Sequence, residues 1–239
     1  MKRAWALRLA RAYARRAMGR AFEGVVVDGL DNARAAAARG PIVLCPNHLS
    51  WWDAFVAVVV DEALGTDGRC LMGEANLQRL PFFDALGAVP LSLTDPRRAL
   101  SQLSSTAALL QKPGDALWIF PQGRQTPSWR RPLGFQRGFV RVVEPSGAAV
   151  VPVSVVLLFR ERKEPLLAVR LHTPRDFSGD ARHFCTDVES VVGAGIDALD
   201  AEIAAGVLPP VLVRGTGGNA SVEQGLGARL LTRFAGARP

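Results

Sequence analysis

The sequence predicts a single α/β domain: a twisted, mixed but mostly parallel sheet flanked by helices, with a basic helix at its N-terminus. Three observations predict it. Short apolar runs of strand length alternate with segments of helical periodicity. Gly, Pro and Asn stand at most of the junctions between them. The 239 residues are 49% hydrophobic and 21% charged, enough to bury one full core, with no break in composition that would divide the chain.

Residues 1–22 read as the basic helix and 23–239 as the domain. Lys2, Arg3, Arg8, Arg11, Arg15, Arg16 and Arg20 face no acid within the first 20 residues, so this segment holds the whole net charge of +7. A nucleic-acid-binding body would carry its basic excess in the domain itself, so nucleic acid is not expected as a partner. Trp5, Leu9 and Tyr13 recur at i, i+4 and i+8 among the arginines. Such a patch suits an arm on an anionic membrane surface, and equally a helix packed on the domain with its arginines in water. The arginines interrupt every short apolar run, which excludes a secretory signal. The longest apolar stretch, Ala148 to Phe159, contains Pro152 and Ser154 and falls short of the roughly 20 residues needed to cross a bilayer. Any membrane association is therefore expected to be peripheral, on the cytoplasmic face.

Along the chain, Phe22 to Asp28 reads as a strand, Asp31 to Arg39 as an alanine-rich helix closed by Gly40, and residues 42–45 as a second strand bounded by Pro41 and Pro46. A helix follows over 54–63, a short strand over Arg69 to Met72, and another strand from Ala88 to Leu93. Asp95-Pro96 opens a helix over Arg97 to Gln111, with Pro near its first turn. The turn Lys112–Asp115 leads into a buried strand, Ala116 to Phe120. Thr126 to Pro132 lacks periodicity and reads as a loop rimming a crevice. Gln136 to Val143 reads as a helix. Ala149 to Phe159 and Leu166 to His172 form a hairpin, Phe184 to Ala205 is a long helix, and a short helix is expected near Val222 to Phe234.

The first strand-to-helix turn of chemical interest holds Asn47-His48-Leu49-Ser50-Trp51-Trp52-Asp53. Such turns are where open α/β sheets collect their active sites. On a continuous helix, positions five apart diverge by about 140°, so His48 and Asp53 meet only if the chain turns before the helix begins. A carboxylate on one ring nitrogen would fix the tautomer and leave the other nitrogen to take a proton from a hydroxyl. A second loop, Pro121-Gln122-Gly123-Arg124, leaves the end of another predicted strand and can face the same crevice. Gly123 allows close backbone approach, and Arg124 offers a fork of donors to an anionic group. Cys45, Cys70 and Cys185 lie far apart with no ligand spacing, so neither a disulfide framework nor a metal site is expected.

Several blocks together resemble the PlsC-type glycerolipid (lysophospholipid) acyltransferases. Asn47-His48 through Asp53 matches the N-H-x-x-x-x-D block and Phe120-Pro121-Gln122-Gly123-Arg124 resembles the F-P-E-G-x-R block. Leu80-Pro81 through Gly87 is similar to the region between them. Gln136-Arg137-Gly138-Phe139 and Val151-Pro152-Val153 are similar to the helix and strand that close the set. The likeness spans residues 41–158 in family order.

The resemblance implies transfer of an acyl group from a thioester, acyl-CoA or acyl carrier protein, to the hydroxyl of a lipid acceptor, with no further cofactor. His48 would be the general base and Asp53 its orienting partner, with backbone N–H groups of the turn after His48 as candidates to hold the oxyanion. Gln122, Gly123, Arg124, Arg97 and Arg98 would bind substrate, and Trp51, Trp52, Phe55, Phe82 and Phe83 are candidates to line the acyl pocket or simply to pack. Two departures bear on the acceptor: Gln122 stands where Glu is usual, and Leu93 where a phosphate-holding Arg is common. A phosphate-bearing acceptor such as a 1-acylglycerol-3-phosphate is the leading expectation. A non-phosphate acceptor such as a glycosylated carotenoid, or a catalytically inactive lipid-binding member of the fold, is the alternative.

Overall fold

The computed structural model describes residues 2–217. The expected helix near Val222 to Phe234 lies outside them. Eight strands form one mixed sheet in the order β4-β3-β5-β2-β6-β7-β1-β8. They are β1 (Gly24–Asp28), β2 (Ile42–Pro46), β3 (Asp67–Gly73), β4 (Ala88–Leu91), β5 (Asp115–Trp118), β6 (Ala149–Leu158), β7 (Leu166–Leu171) and β8 (Val211–Arg214). Five neighbouring pairs are parallel; β6–β7 and β1–β8 are antiparallel. The β6–β7 pairing is the expected hairpin. β8, inside a stretch rich in Gly and Pro, was not anticipated.

Alternate residues of the central strands feed two cores, as the period of two demands. Ile42, Leu44, Ala116, Trp118, Val151 and Val153 pack against α1 (Ala4–Ala21), α2 (Leu30–Arg39) and α3 (Asp53–Leu64). On the other face, Val43, Cys45, Leu117, Ile119 and Val150 pack against α6 (Pro96–Thr106), α7 (Val140–Ser146) and the start of α8 (Ala181–Ala204). Two short helices, α4 (Glu74–Arg79) and α5 (Phe82–Leu86), join β3 to β4. Helix α6 is shorter than expected because its last turn tightens into a 3-10 helix at Ala107–Leu109.

Helix α1 is docked on the domain. Ala14 and Met18 are fully buried in the first core, Arg15 pairs with Glu62 at 2.7 Å, and Lys2 pairs with Asp67 at 2.7 Å. The stripe of Trp5, Leu9 and Tyr13 faces outward, each at least 60% exposed. Among the described residues, no helix is long and apolar enough to cross a membrane.

Beneath α1 and α3, Asp61 accepts hydrogen bonds from the Trp118 indole (3.0 Å) and the Thr66 hydroxyl (2.9 Å), and burial raises its pKa to about 6. On the far side of the sheet, Ser154 donates to the Val192 carbonyl at 2.8 Å and lies 2.8 Å from His172 Nε2, tying α8 to β6 and β7. Burial pulls His172 down to about 4.

Candidate active site

The carboxyl ends of β2 and β5 lie side by side, with Leu44 opposite Trp118. From β2 the chain leaves the sheet through Asn47, a buried residue whose side chain continues the pairing that the main chain gives up. Its Nδ2 donates to the Val155 carbonyl (2.9 Å) and its Oδ1 accepts from the Val155 N–H (2.8 Å). Main-chain pairing of β2 with β6 ends one residue earlier, at Pro46 and Val153.

That departure makes the turn which brings His48 to Asp53. Asp53 is the first residue of α3 and only 3% exposed. Its Oδ2 accepts from His48 Nδ1 at 2.6 Å, from the Leu49 N–H at 2.7 Å and from the Ser50 N–H at 3.0 Å. A helix N-terminus also suits a negative charge. A carboxylate can only accept, so Nδ1 carries the ring proton and Nε2 presents its lone pair. Nε2 has no hydrogen-bond partner among the described residues, and the ring rests on Phe120 with centroids 4.6 Å apart. The expected contact between His48 and Asp53 is therefore present.

Gln122 lines the recess described below and also braces the His48 turn. It is 4% exposed, accepts the His48 N–H at Oε1 (2.5 Å) and donates from Nε2 to the Leu133 carbonyl (2.9 Å). An amide supplies both an acceptor and a donor; a glutamate would set its second oxygen against a carbonyl. The Thr126 N–H donates to the His48 carbonyl at 2.8 Å, so both main-chain groups of His48 are held by the β5 loop. Gly123 has a φ of 66°, in the left-handed region that favours glycine.

Two cavities meet at this glycine. The larger, a cleft of ≈ 830 Å³, has an apolar floor including Leu91, Leu103, Ile119 and Phe120, and its wall carries Arg137 and Arg141. The smaller, a recess of ≈ 380 Å³, is lined by Gln122, Arg124, Thr126, Arg130 and Arg131. Gly123 and Gln136 border both. His48 lines neither cavity itself; its ring packs on Phe120, which is part of the cleft floor.

Neither Arg97 nor Arg98 lines either of these two cavities. Asp95 caps α6 by accepting from the N–H groups of both, at 2.9 and 3.2 Å. The resulting phase turns Pro96, Ala99, Leu100 and Leu103 toward the cleft and sends Arg98 to Glu74 at 2.7 Å. Leu93 lines the cleft as anticipated from its alignment, with no cation in its place. The arginines that do line the cleft, Arg137 and Arg141, are not among the binding residues singled out by the sequence. The signal for Arg137 is its place in the Gln136-Arg137-Gly138-Phe139 block, and Arg141 follows one helical turn later.

The aromatic group is also placed elsewhere. Trp52 and Phe55 pack with Phe22 in the core beneath α1 and α3, across the sheet from the cleft. Trp51 is 59% exposed and meets Phe55 at 4.7 Å, and Phe55 in turn meets Tyr13 at 5.9 Å. Phe82 is exposed against Phe83, and Phe83 borders a small void of ≈ 50 Å³ under α1. None of the five lines the ≈ 830 Å³ cleft.

The N–H groups just after His48 are mostly committed. Those of Leu49 and Ser50 serve Asp53, that of Trp52 donates to Ser50 Oγ, and that of Asp53 to the Ser50 carbonyl. Among the described residues the N–H groups of Trp51, Arg124 and Gln125 have no protein acceptor. The thiols offer no nucleophile: burial pushes Cys70 up to about 12, Cys185 up to about 11 and Cys45 well above its ordinary value. Counted strictly, the final arginine of F-P-E-G-x-R falls on Gln125, so Arg124 stands one residue early.

A comparison with curated proteins finds no match. The family model described as Acyltransferase matches residues 24–156, from β1 through most of β6 and more than half of the chain. That span includes the His48 turn and both cavities' central loop, and with the order of the motif blocks it means that this chain belongs to the PlsC-type acyltransferase family.

Proposed function

We propose that the chain transfers an acyl group from an acyl thioester to the hydroxyl of a lipid acceptor, with His48 as general base and Asp53 as its orienting carboxylate. The observation that carries the reading is the 2.6 Å contact between His48 Nδ1 and Asp53 Oδ2, with Nε2 left without a protein partner among the described residues. The acceptor hydroxyl gives its proton to Nε2 as its oxygen attacks the thioester carbonyl. Collapse of the tetrahedral adduct expels the thiolate, which takes the proton back from the imidazolium. The unpartnered N–H groups of Trp51, Arg124 and Gln125 are the candidates for holding the oxyanion.

A phosphate-bearing acceptor is favoured over a neutral one. Its phosphate lies within a few bonds of the reacting hydroxyl, and the cleft floored by Phe120, on which His48 rests, carries Arg137 and Arg141 against one carboxylate, Glu144, with neither arginine in an ion pair among the described residues. These cations take the part that Leu93, Arg97 and Arg98 do not. Attachment to an anionic membrane surface is part of the same proposal. Supporting it are the exposed Trp5, Leu9 and Tyr13, the exposed Arg8, Arg16 and Arg20 on α1 and Arg3 just before it, with ring contacts running on to Trp51 in the His48 turn.

The test is release of free thiol from an acyl-CoA in the presence of a panel of lysophospholipids and glycolipid alcohols. His48→Ala should fold and melt as the native protein does while acyl transfer is lost; turnover retained by this variant would remove the mechanism. Native protein that binds lipid without releasing thiol on any acceptor would favour the inactive alternative.

A further inference from the structure

We infer that the recess bounded by Arg124 and Arg130 receives the nucleotide end of a coenzyme A thioester, which makes acyl-CoA the donor. The inference rests on the proposed acyl transfer for the donor's reacting end; the recess itself is argued from its own chemistry. It holds ≈ 380 Å³, far more than a phosphate alone needs and in the range of sites for small molecules. Its lining is polar apart from Pro132 and Leu133, so it offers no bed for an acyl chain.

The walls are fixed before any ligand arrives. Arg131 is pinned to Asp197 at 2.5 Å and to the Gly193 carbonyl at 3.3 Å. The N–H groups of Gly134 and Phe135 donate to Glu189 at 2.8 and 3.0 Å, and Gln122 ties the Leu133 carbonyl to the His48 turn. Within this frame Arg124 and Arg130 have no side-chain partner among the described residues, and they present unspent guanidinium forks to an anion. Trp129, next in sequence to Arg130 and not itself part of the lining, is 81% exposed, an aromatic face free to stack on a purine that projects from the recess.

Chemistry separates this anion from the acceptor's. A lysophospholipid carries its phosphate close to the hydroxyl that reacts, which places it on the cleft side with Arg137 and Arg141. The phosphates of coenzyme A are separated from the thioester by the whole pantetheine arm and need cations set apart from the base. The arm reaches the cleft by rounding Gly123, past the Gln136 side chain that borders both cavities. An acyl carrier protein would present its acidic residues on a convex protein surface, which a recess fits poorly.

The probe is 3′-phosphoadenosine 5′-phosphate, titrated calorimetrically into the full chain. Saturable binding is expected, weakened at least tenfold in Arg124→Ala and in Arg130→Ala and retained in His48→Ala. Trp129→Phe keeps an aromatic face and should bind near normally, while Trp129→Ala should not. In the transfer assay the same nucleotide should compete with acyl-CoA and not with the acceptor. Absence of nucleotide binding, binding indifferent to both arginines, displacement by glycerol 3-phosphate, or acyl carrier protein serving as donor without nucleotide inhibition would each overturn the inference. Native protein that binds the nucleotide through these arginines yet transfers no acyl group would instead sink the acyl-transfer reading and leave the nucleotide site standing.

Discussion

Replacing Asp53 by asparagine changes one atom in the position that makes His48 a base. Asp53 Oδ2 now accepts three hydrogens, from His48 Nδ1 and from the Leu49 and Ser50 N–H groups. An amide can orient in two ways. With its oxygen toward the turn, it keeps the three contacts as neutral hydrogen bonds and no longer supports the imidazolium. With its nitrogen toward the turn, it opposes two N–H donors and forces the histidine into the tautomer whose Nε2 is protonated. Bonds to a charged group contribute roughly 1 kcal/mol more than neutral ones, so three of them set a destabilisation of about 3 kcal/mol. In a chain of this length that corresponds to a melting point lower by about 6–12 °C. General-base catalysis contributes about 10²- to 10⁴-fold, and kcat should fall by that order with KM changed little. The assay is thiol release well below the melting temperature of the variant, alongside a thermal melt. A variant that loses the expected stability yet keeps kcat within tenfold of native would show that the carboxylate shapes the turn without serving the base.

Gln122→Glu should lower stability by about 1–3 kcal/mol at neutral pH, because a carboxylate oxygen replaces the Nε2 that donates to the Leu133 carbonyl. The deficit should shrink on acidification, and a denaturant titration at pH 5 and pH 8 checks it. Asp61 and His172 pull stability in opposite directions with pH. The pKa of Asp61, raised to about 6, gives stability that is complete below about pH 4 and is lost as pH rises through 6. The pKa of His172, lowered to about 4, gives stability that is complete above about pH 6.5 and is lost as pH falls through 4. Asp61→Asn should therefore steepen the loss of stability between pH 6.5 and 4, and His172→Gln should flatten it, both read from melts across that range. Replacing Trp5, Leu9 and Tyr13 together by serine should weaken binding to anionic vesicles in a sedimentation assay while leaving the melting temperature within a few degrees, since all three are exposed.

The last of these could not have been designed from sequence. Deleting residues 1–20 looks like a clean test of a membrane arm, but Ala14 and Met18 lie in the main core, so the deletion would open it. What the sequence does carry is the central part of the sheet and the turn from His48 to Asp53, because a strand bounded by prolines and a helix beginning at an acid leave the chain few ways to turn. Side-chain direction around the crevice was harder to read. Arg97 and Arg98 looked available until the Asp95 cap fixed the phase of α6, although Leu100, Leu103 and Ala107 already marked the inward stripe. Trp52 and Phe55 were candidates for an acyl pocket because nothing in their spacing says on which face of the sheet α3 lies. That depends on how the crossovers wind, a property of the whole sheet. Strand β8 escaped notice because four residues after Pro209-Pro210 give too short a pattern to recognise.

Asn47 adds a caution for anyone dissecting this turn by mutation. Its amide stands in for a missing peptide unit, matching both polar groups of Val155 at once. An aspartate of the same shape would meet the Val155 carbonyl with a second lone-pair oxygen, and an alanine would leave two interior groups thirsty. Either change would disable the neighbouring imidazole by letting the turn sag, and an activity screen alone would misfile a scaffold residue as a chemical one.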